Sequence, residues 1–415
     1  MERDFVDIYL QVGRLLFQSG ATVQRIIDSI GQVKKYLGGD DIHVMIEYDG
    51  IIITDINNRK FHTRVETRRA FGGTNIAVLV AVSRLVRNID RDRPSEAEIK
   101  EQLEKIANIE ADVQGWLQHL TFGVVAVCFG VLNGADIFAS AAIFPAGVIL
   151  SAVKVRLLAR NHNLFFATLI ASLAGIGLSG LIAMHTPTTA ALVAIIAVVL
   201  PLVPGFPMIN AGVDILRNHN AVGLGRLAFA FMMIGILTMA VSVPLLFFST
   251  LQHDPQTALN PWQVQVIGVL SAAIGAAGLG LMFNVPYRYL GMIAIGALLA
   301  RFTRTLMMDY GTDMVSATFC GAVCASVVAS MAAQRYHLPA AVFALISVLP
   351  MIPGFLAING LNNLYILSRL PSDSITTGFL AVTAQTLLKA GFIIGALLTG
   401  VIFPVFLIDG RSLRI

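Results

Sequence analysis

The sequence predicts an α-helical polytopic membrane protein of about ten transmembrane helices, arranged as two inverted five-helix repeats and preceded by a small cytoplasmic α+β domain. Three observations carry this: charge concentrated near the start of the chain, ten apolar runs of spanning length, and one Pro-Gly motif written twice. Of the 415 residues 56% are hydrophobic and 13% charged, where an ordinary soluble domain carries about 25% charge. Residues 1–115 hold 16 of the 29 Lys and Arg and 18 of the 25 Asp and Glu, leaving 13 basic and 7 acidic residues for everything after them. The chain therefore divides into 1–115, facing water, and two membrane modules, 116–250 and 251–415.

Within the first part, Phe5, Ile8, Tyr9, Val12, Leu15 and Leu16 fall at helical spacing, and Val23, Ile26, Ile27, Ile30 and Val33 repeat the pattern after Ser19-Gly20. From Ile42 the period becomes two, and Asp49-Gly50 and Asn57-Asn58 punctuate further runs at 51–56 and 61–65, which predicts a small antiparallel sheet. Helical spacing returns at Ile76, Leu79, Ser83 and Val86, and a last helix opens with the capping box Ser95/Glu98. The basic cluster Arg59, Lys60, Arg64, Arg68 and Arg69 reads either as an anion or headgroup contact or as a solvated sheet edge, and His43 and His62 have no companions at metal-ligand spacing. The acidic start, without an apolar core of signal-peptide length, predicts a cytoplasmic N-terminus.

The apolar runs cover roughly 116–134, 137–153, 164–184, 188–210 and 224–248, then 262–283, 286–303, 313–333, 340–362 and 376–408. With the N-terminus inside, the cytoplasmic loops collect Lys154, Arg156, Arg160, Arg217, Arg226, Arg288 and Arg335, and Arg411 and Arg414 follow the last span, so both termini are expected in the cytoplasm. Leu200-Pro-Leu-Val-Pro-Gly-Phe-Pro-Met-Ile-Asn210 returns as Leu349-Pro-Met-Ile-Pro-Gly-Phe-Leu-Ala-Ile-Asn359 at an offset of 149, the Pro-Gly-Phe and the final Ile-Asn being identical. Each copy sits in the fourth run of its half. Five spans per half is an odd number, so the halves cross in opposite senses, an architecture shared by many secondary transporters.

Two prolines three residues apart remove backbone donors, and the following glycine permits a sharp departure from the helix. Polar backbone freed inside a membrane is tolerated where it is buried in protein or lines a watery cavity. Pro204, Gly205, Asn210, Pro353, Gly354 and Asn359 are therefore the expected substrate pathway. Charged residues within spans each need a reason: Lys389 and Arg304 join the pathway list, Arg304 with Asp313 as an alternative structural pair. No Glu follows residue 110. A carboxylate that alternates between dry and wet surroundings can carry a proton, and Asp214, one helical turn past Asn210, is the first candidate and Asp313 the second.

The runs Val203-Pro-Gly-Phe-Pro-Met-Ile-Asn-Ala211 with Asp214, Phe283-Asn-Val-Pro-Tyr-Arg288 and Pro350-Met-Ile-Pro-Gly354 resemble the threonine/serine exporter (ThrE-type) family along the whole chain, in its fused two-module form. The resemblance implies export of small hydroxy amino acids across a bacterial cytoplasmic membrane, driven by the proton motive force. The alternatives are efflux of a small dicarboxylate such as succinate, for which the +6 balance of the membrane part, Lys389 and Arg304 speak, and a membrane-tethered sensor or regulatory protein. The expected partners are a small solute, the proton and the lipid bilayer, with a homo-oligomer left open. Nucleic acid is excluded by the −2 balance of residues 1–115 and the lack of a basic face. Neither a cofactor nor a metal is expected, since Cys128, Cys320 and Cys324 sit in apolar runs without ligand spacing, and no catalytic motif points to an enzyme.

Overall fold

The computed structural model describes residues 5–38, 41–57, 60–67, 74–248, 260–336 and 340–408; Arg59, Arg68, Arg69, Arg411 and Arg414 lie outside them. The N-terminal part forms the helices and strands that its periodicity predicts. Helices α1 (Val6–Gln18) and α2 (Val23–Leu37) precede strands β1 (Asp41–Ile46), β2 (Gly50–Asn57) and β3 (Lys60–Thr67), followed by α3 (Ile76–Asp92) and α4 (Glu96–Ala107). The sheet is antiparallel in the order β1-β2-β3, with Val44 opposite Ile53 and Ile53 opposite Arg64. Its core joins Ile51 and Ile53 to Tyr9, Leu16, Ile26 and Leu79, all nearly inaccessible. The capping box is formed as expected: Ser95 Oγ accepts from the Glu98 amide while the Ser95 amide donates to Glu98 Oε2 at 2.7 Å. Those bonds from Ser95 hold the Glu98 carboxyl below the usual range. In the basic cluster, Arg64 pairs with Asp7 at 3.2 Å.

Among the described residues the rest of the chain forms helices joined by turns: α5 (Trp116–Leu132), α6 (Ile137–Ala159), α7 (Leu164–Met184), α8 (Ala191–Ala197), α9 (Gly205–Leu216), α10 (Asn220–Leu245), α11 (Pro261–Met282), α12 (Leu290–Asp309), α13 (Met314–Tyr336), α14 (Ala340–Val348), α15 (Gly354–Leu367) and α16 (Thr377–Ile408). Among the described residues seven of these are long and apolar enough to cross a membrane, or nine if each of the bent pairs α8/α9 and α14/α15 is one span. Helix α5, at 17 residues, is at the short end of spanning length. Several helices outrun their apolar stretches: α6 continues through Lys154 and Arg156 to Ala159, because cations in a last turn complement the helix dipole.

Small residues set the packing, as expected where helices must approach closely in lipid. A Cβ on Gly147 would lie 3.1 Å from Gly123 Cα, which brings α6 onto α5, and one on Gly400 would lie 2.9 Å from the Phe319 carbonyl, which brings α16 onto α13.

The elements of 116–248 recur in 260–408. Asp136 caps α6, while Asn163 and Asp313, at matching positions, cap α7 and α13 through 2.8 Å bonds to the amides of Phe165 and Val315. Gly134 and Asn284 end α5 and α11 in the left-handed region, with φ of 91° and 55°. The halves meet through equivalent elements: α5 on α11, α9 on α16 and α15 on α10.

Candidate functional site

Both Pro-Gly motifs break their helices in the same way. After α8 comes a 3-10 turn, Leu200–Leu202, and after α14 another, Leu349–Met351. Pro204 (φ −78°, ψ 55°) and Pro353 (φ −79°, ψ 47°) then each centre a tight turn, in which the Gly205 amide donates to the Val203 carbonyl at 2.7 Å and the Gly354 amide to the Ile352 carbonyl at 2.8 Å. These are inverse γ-turns, which the fixed φ of proline favours. The helices bend by 53° and 51°.

The two breaks face each other across the module interface. A Cβ on Gly205 would collide with Ile352 Cδ1, and one on Gly354 would stand 3.0 Å from Val203 Cγ2. Pro201, Gly205 and Phe206 from one break, Leu349, Ile352 and Gly354 from the other, line a shared cavity of about 30 Å³. That holds about one water molecule and no amino acid, so the centre is closed in this conformation. Gly205 and Gly354 are thus brought together at the cavity, each one residue past the proline that centres its turn.

The N-terminal α+β part packs against one side of this centre. Its α1–α2 turn requires Gly20, at φ +86°, and a Cβ there would lie 3.0 Å from Phe206, a wall of the cavity. Three positions of the turn, Gly20, Ala21 and Val23, are held. Asn210 Nδ2 donates to the Gly20 carbonyl at 2.9 Å, Arg226 Nη2 to the Ala21 carbonyl at 2.7 Å, and the Val23 amide to Asp214 Oδ1 at 2.9 Å. Asp214 Oδ2 lies 2.8 Å from Arg226 Nη1, and Asp214 is fully buried. Asp214 therefore terminates α2, a helix of another domain, at the end where the dipole favours an anion. His219 Nε2 and Gln24 Oε1 add a contact at 3.2 Å.

The second module is gripped by the same domain. The Ile76 and Ala77 amides donate to the carbonyls of Phe283 and Asn284 at 2.9 and 3.0 Å. Asn284 Nδ2 donates to Asn75 Oδ1 at 2.8 Å, and Asn284 Oδ1 accepts from the Asp112 amide at 2.9 Å. Arg84 bonds the Tyr289 hydroxyl. Phe206 and Phe283, one from each half, pack in a tilted arrangement with ring centres 5.6 Å apart.

These placements redistribute the expected roles. Asn210 and Asp214 hold the soluble domain instead of lining the cavity. Asn359 is half-buried on α15, and its near neighbour Asn362 accepts from Ser242 Oγ at 2.7 Å, tying α15 to α10. Arg304 is buried but does not pair with Asp313. Asp313 instead turns to its own helix, capping the amides of Val315 and Ser316 from an exposed position, and the hydrogen bonds from Ser316 hold its carboxyl below the usual range. Lys389 is exposed on an outer face of α16 between Leu388 and Phe392, away from the cavity lining. Sequence reasoning missed Arg226 and Asn284. The signal for Asn284 was present: an asparagine closing a long apolar helix just before Val-Pro is a left-handed cap whose side chain is free to bond elsewhere.

Residues 7–248 match the family model described as "Putative threonine/serine exporter", and residues 268–407 match the one described as "Threonine/Serine exporter, ThrE". Similar proteins include the "Probable succinate transporter subunit YjjP" of Escherichia coli (strain K12), 26% identical over 254 residues, which are 58% of this chain and 92% of that protein. Its namesake in Klebsiella aerogenes is 25% identical over 255 residues, 60% of this chain and 95% of that protein. An "Uncharacterized protein" of Haemophilus influenzae is 30% identical over 136 residues, 33% of this chain and 45% of that protein. No solved structure matches the chain. With one model over the soluble domain and α5–α10 and the other over most of α11–α16, the chain belongs to the threonine/serine exporter family, in a form that joins both modules in one polypeptide.

Proposed function

We propose that this chain is a proton-coupled secondary exporter of threonine and serine, working by alternating access between two inverted five-span modules. The observation that carries the reading is the meeting of the two Pro-Gly breaks across the module interface. Broken helices at mirrored positions place turns of free backbone where a zwitterion needs donors for its carboxylate and acceptors for its ammonium. The soluble domain is the inner gate: its α1–α2 turn is seated on Phe206 beside the central cavity and latched by Asn210, Asp214 and Arg226. A proton reaching Asp214 removes the charge that holds Arg226 and weakens the acceptor for Val23, so proton binding and gate release are one event.

The contacts of the soluble domain support the topology. It touches 206–226 and 283–289 together, which fits the even number of crossings that this topology puts between them. With both termini cytoplasmic, a cysteine replacing Asp373 in a background lacking the native cysteines should react with an impermeant thiol reagent added to whole cells, and one replacing Asn161 should not. The reverse pattern would overturn the inverted arrangement.

A second reading, export of a small dicarboxylate, is favoured by the buried Arg304 and its neighbour Arg301 and by the names of the two YjjP relatives. Counterflow in proteoliposomes separates the two. Uptake of labelled threonine driven by internal threonine or serine supports the first reading, and uptake driven only by internal succinate supports the second.

A further inference from the structure

We propose that Arg301 and Arg304 form a carboxylate subsite in the half of α12 far from the soluble domain, which receives the exported solute as it leaves the central breaks. The inference rests on the transport reading above and adds to it the residues and the chemical group they take. Helix α12 starts beside Tyr289, which the soluble domain holds through Arg84. At 1.5 Å per residue the two arginines then stand roughly 20 Å along the helix, inside the apolar layer and on the side where the positive-inside rule disfavours them.

Neither guanidinium is matched by the protein. Arg304 is 7% exposed, and the Nε atoms of both residues are buried without a hydrogen-bond partner. The nearby carboxylates are committed elsewhere: Asp309 accepts from Gln265 Nε2 at 2.6 Å and Asp313 caps α13. Among the described residues no carboxylate forms an ion pair with either arginine. A buried and a half-buried cation one turn apart require an anion, and a planar guanidinium fork fits a carboxylate in bidentate fashion.

The location connects this pair to the pathway. Ala300, four residues before Arg304 and on its face of α12, presents its carbonyl to Gly321 of α13, and a Cβ on Gly321 would lie 3.4 Å from Met351 Sδ in the second break. Arg304 is therefore one helical turn outward from the wall of the break. Arg301 lies against α11, its Nη2 3.7 Å from a Cβ built on Gly268. A solute leaving the cavity between the breaks would meet the two forks in succession.

A lipid headgroup phosphate offers similar chemistry, and the test separates it from a solute. The full-length protein and its Arg304→Gln, Arg301→Gln and Arg304→Lys variants are reconstituted in neutral phosphatidylcholine vesicles, with and without phosphatidylglycerol. Counterflow of labelled threonine, serine and succinate is then measured. The subsite predicts that KM for whichever solute the wild type moves rises about tenfold or more in Arg304→Gln, with a smaller change in kcat, and that Arg304→Lys recovers part of it. Arg301→Gln, at a less buried position, guards against a folding defect and should move KM the same way. An unchanged KM in both Gln variants overturns the subsite while leaving transport standing. A defect confined to vesicles containing phosphatidylglycerol assigns the arginines to lipid and also overturns it. Wild-type protein that moves none of the three solutes fails the transport reading itself.

Discussion

Asp214→Asn should abolish the dependence of efflux on a pH gradient and, in the same protein, loosen the soluble domain from the membrane part. Asp214 is fully buried, with one oxygen on the Val23 amide and the other on Arg226. Removing the charge of one member of a buried pair costs about 3–5 kcal/mol, because the other is left uncompensated. The neutral side chain keeps an acceptor for Val23, so the domain folds, but the latch that spans Ala21, Val23 and Arg226 loses its ionic part. Solute exchange, which needs no net proton movement, should persist. Hydrogen exchange at residues 19–24 should accelerate. pH-driven efflux unchanged from wild type would exclude Asp214 as the proton carrier, and unchanged protection of the turn would exclude the latch. The double variant Asp214→Asn/Arg226→Gln leaves no orphaned charge and should restore protection without restoring the pH dependence.

Gly205→Leu and Gly354→Leu should each reduce flux to background while the protein still inserts. At Gly205 a Cβ alone collides with Ile352, and at Gly354 it presses on Val203 and Leu200, so a leucine fills the point where the two breaks must slide past one another. Overpacking of this kind typically costs about 1–3 kcal/mol, too little to prevent assembly of a bundle held along α5/α11 and α10/α15, yet applied where the modules must move. The expected observation is wild-type membrane abundance with no counterflow. Normal flux in both variants would remove the breaks from the transport path.

The elements were largely readable from residues alone because their periods differ so plainly: period two over 42–65, helical spacing before and after, and then apolar runs too long for anything but spans. The paired breaks were readable because proline and glycine act locally, and the same sequence made the same turn twice. What the sequence did not reveal was the docking. Asn210 and Asp214 stand out in the sequence because they follow the break by one and two turns, but their partners, Gly20 and Val23, lie about 190 residues earlier in the chain. No periodicity reports a contact of that separation. Arg226 was counted only as a loop cation, since its carboxylate partner is on another helix. The alternative Arg304–Asp313 pair does not form, for a local reason: a carboxylate at a helix start finds its own amides closer than any side chain across the bundle.

As the proposed inner gate, the N-terminal domain must leave the breaks for solute to pass. Gln24 and His219 touch at 3.2 Å across the latch, so cysteines at both positions, in a background without the native ones, can be joined by a short bifunctional methanethiosulfonate. Efflux of preloaded solute from proteoliposomes is then followed before linkage, after it, and after reduction. Linkage should stop efflux and reduction should restore it; efflux continuing at the unlinked rate from fully linked protein would show that solute passes with the domain docked.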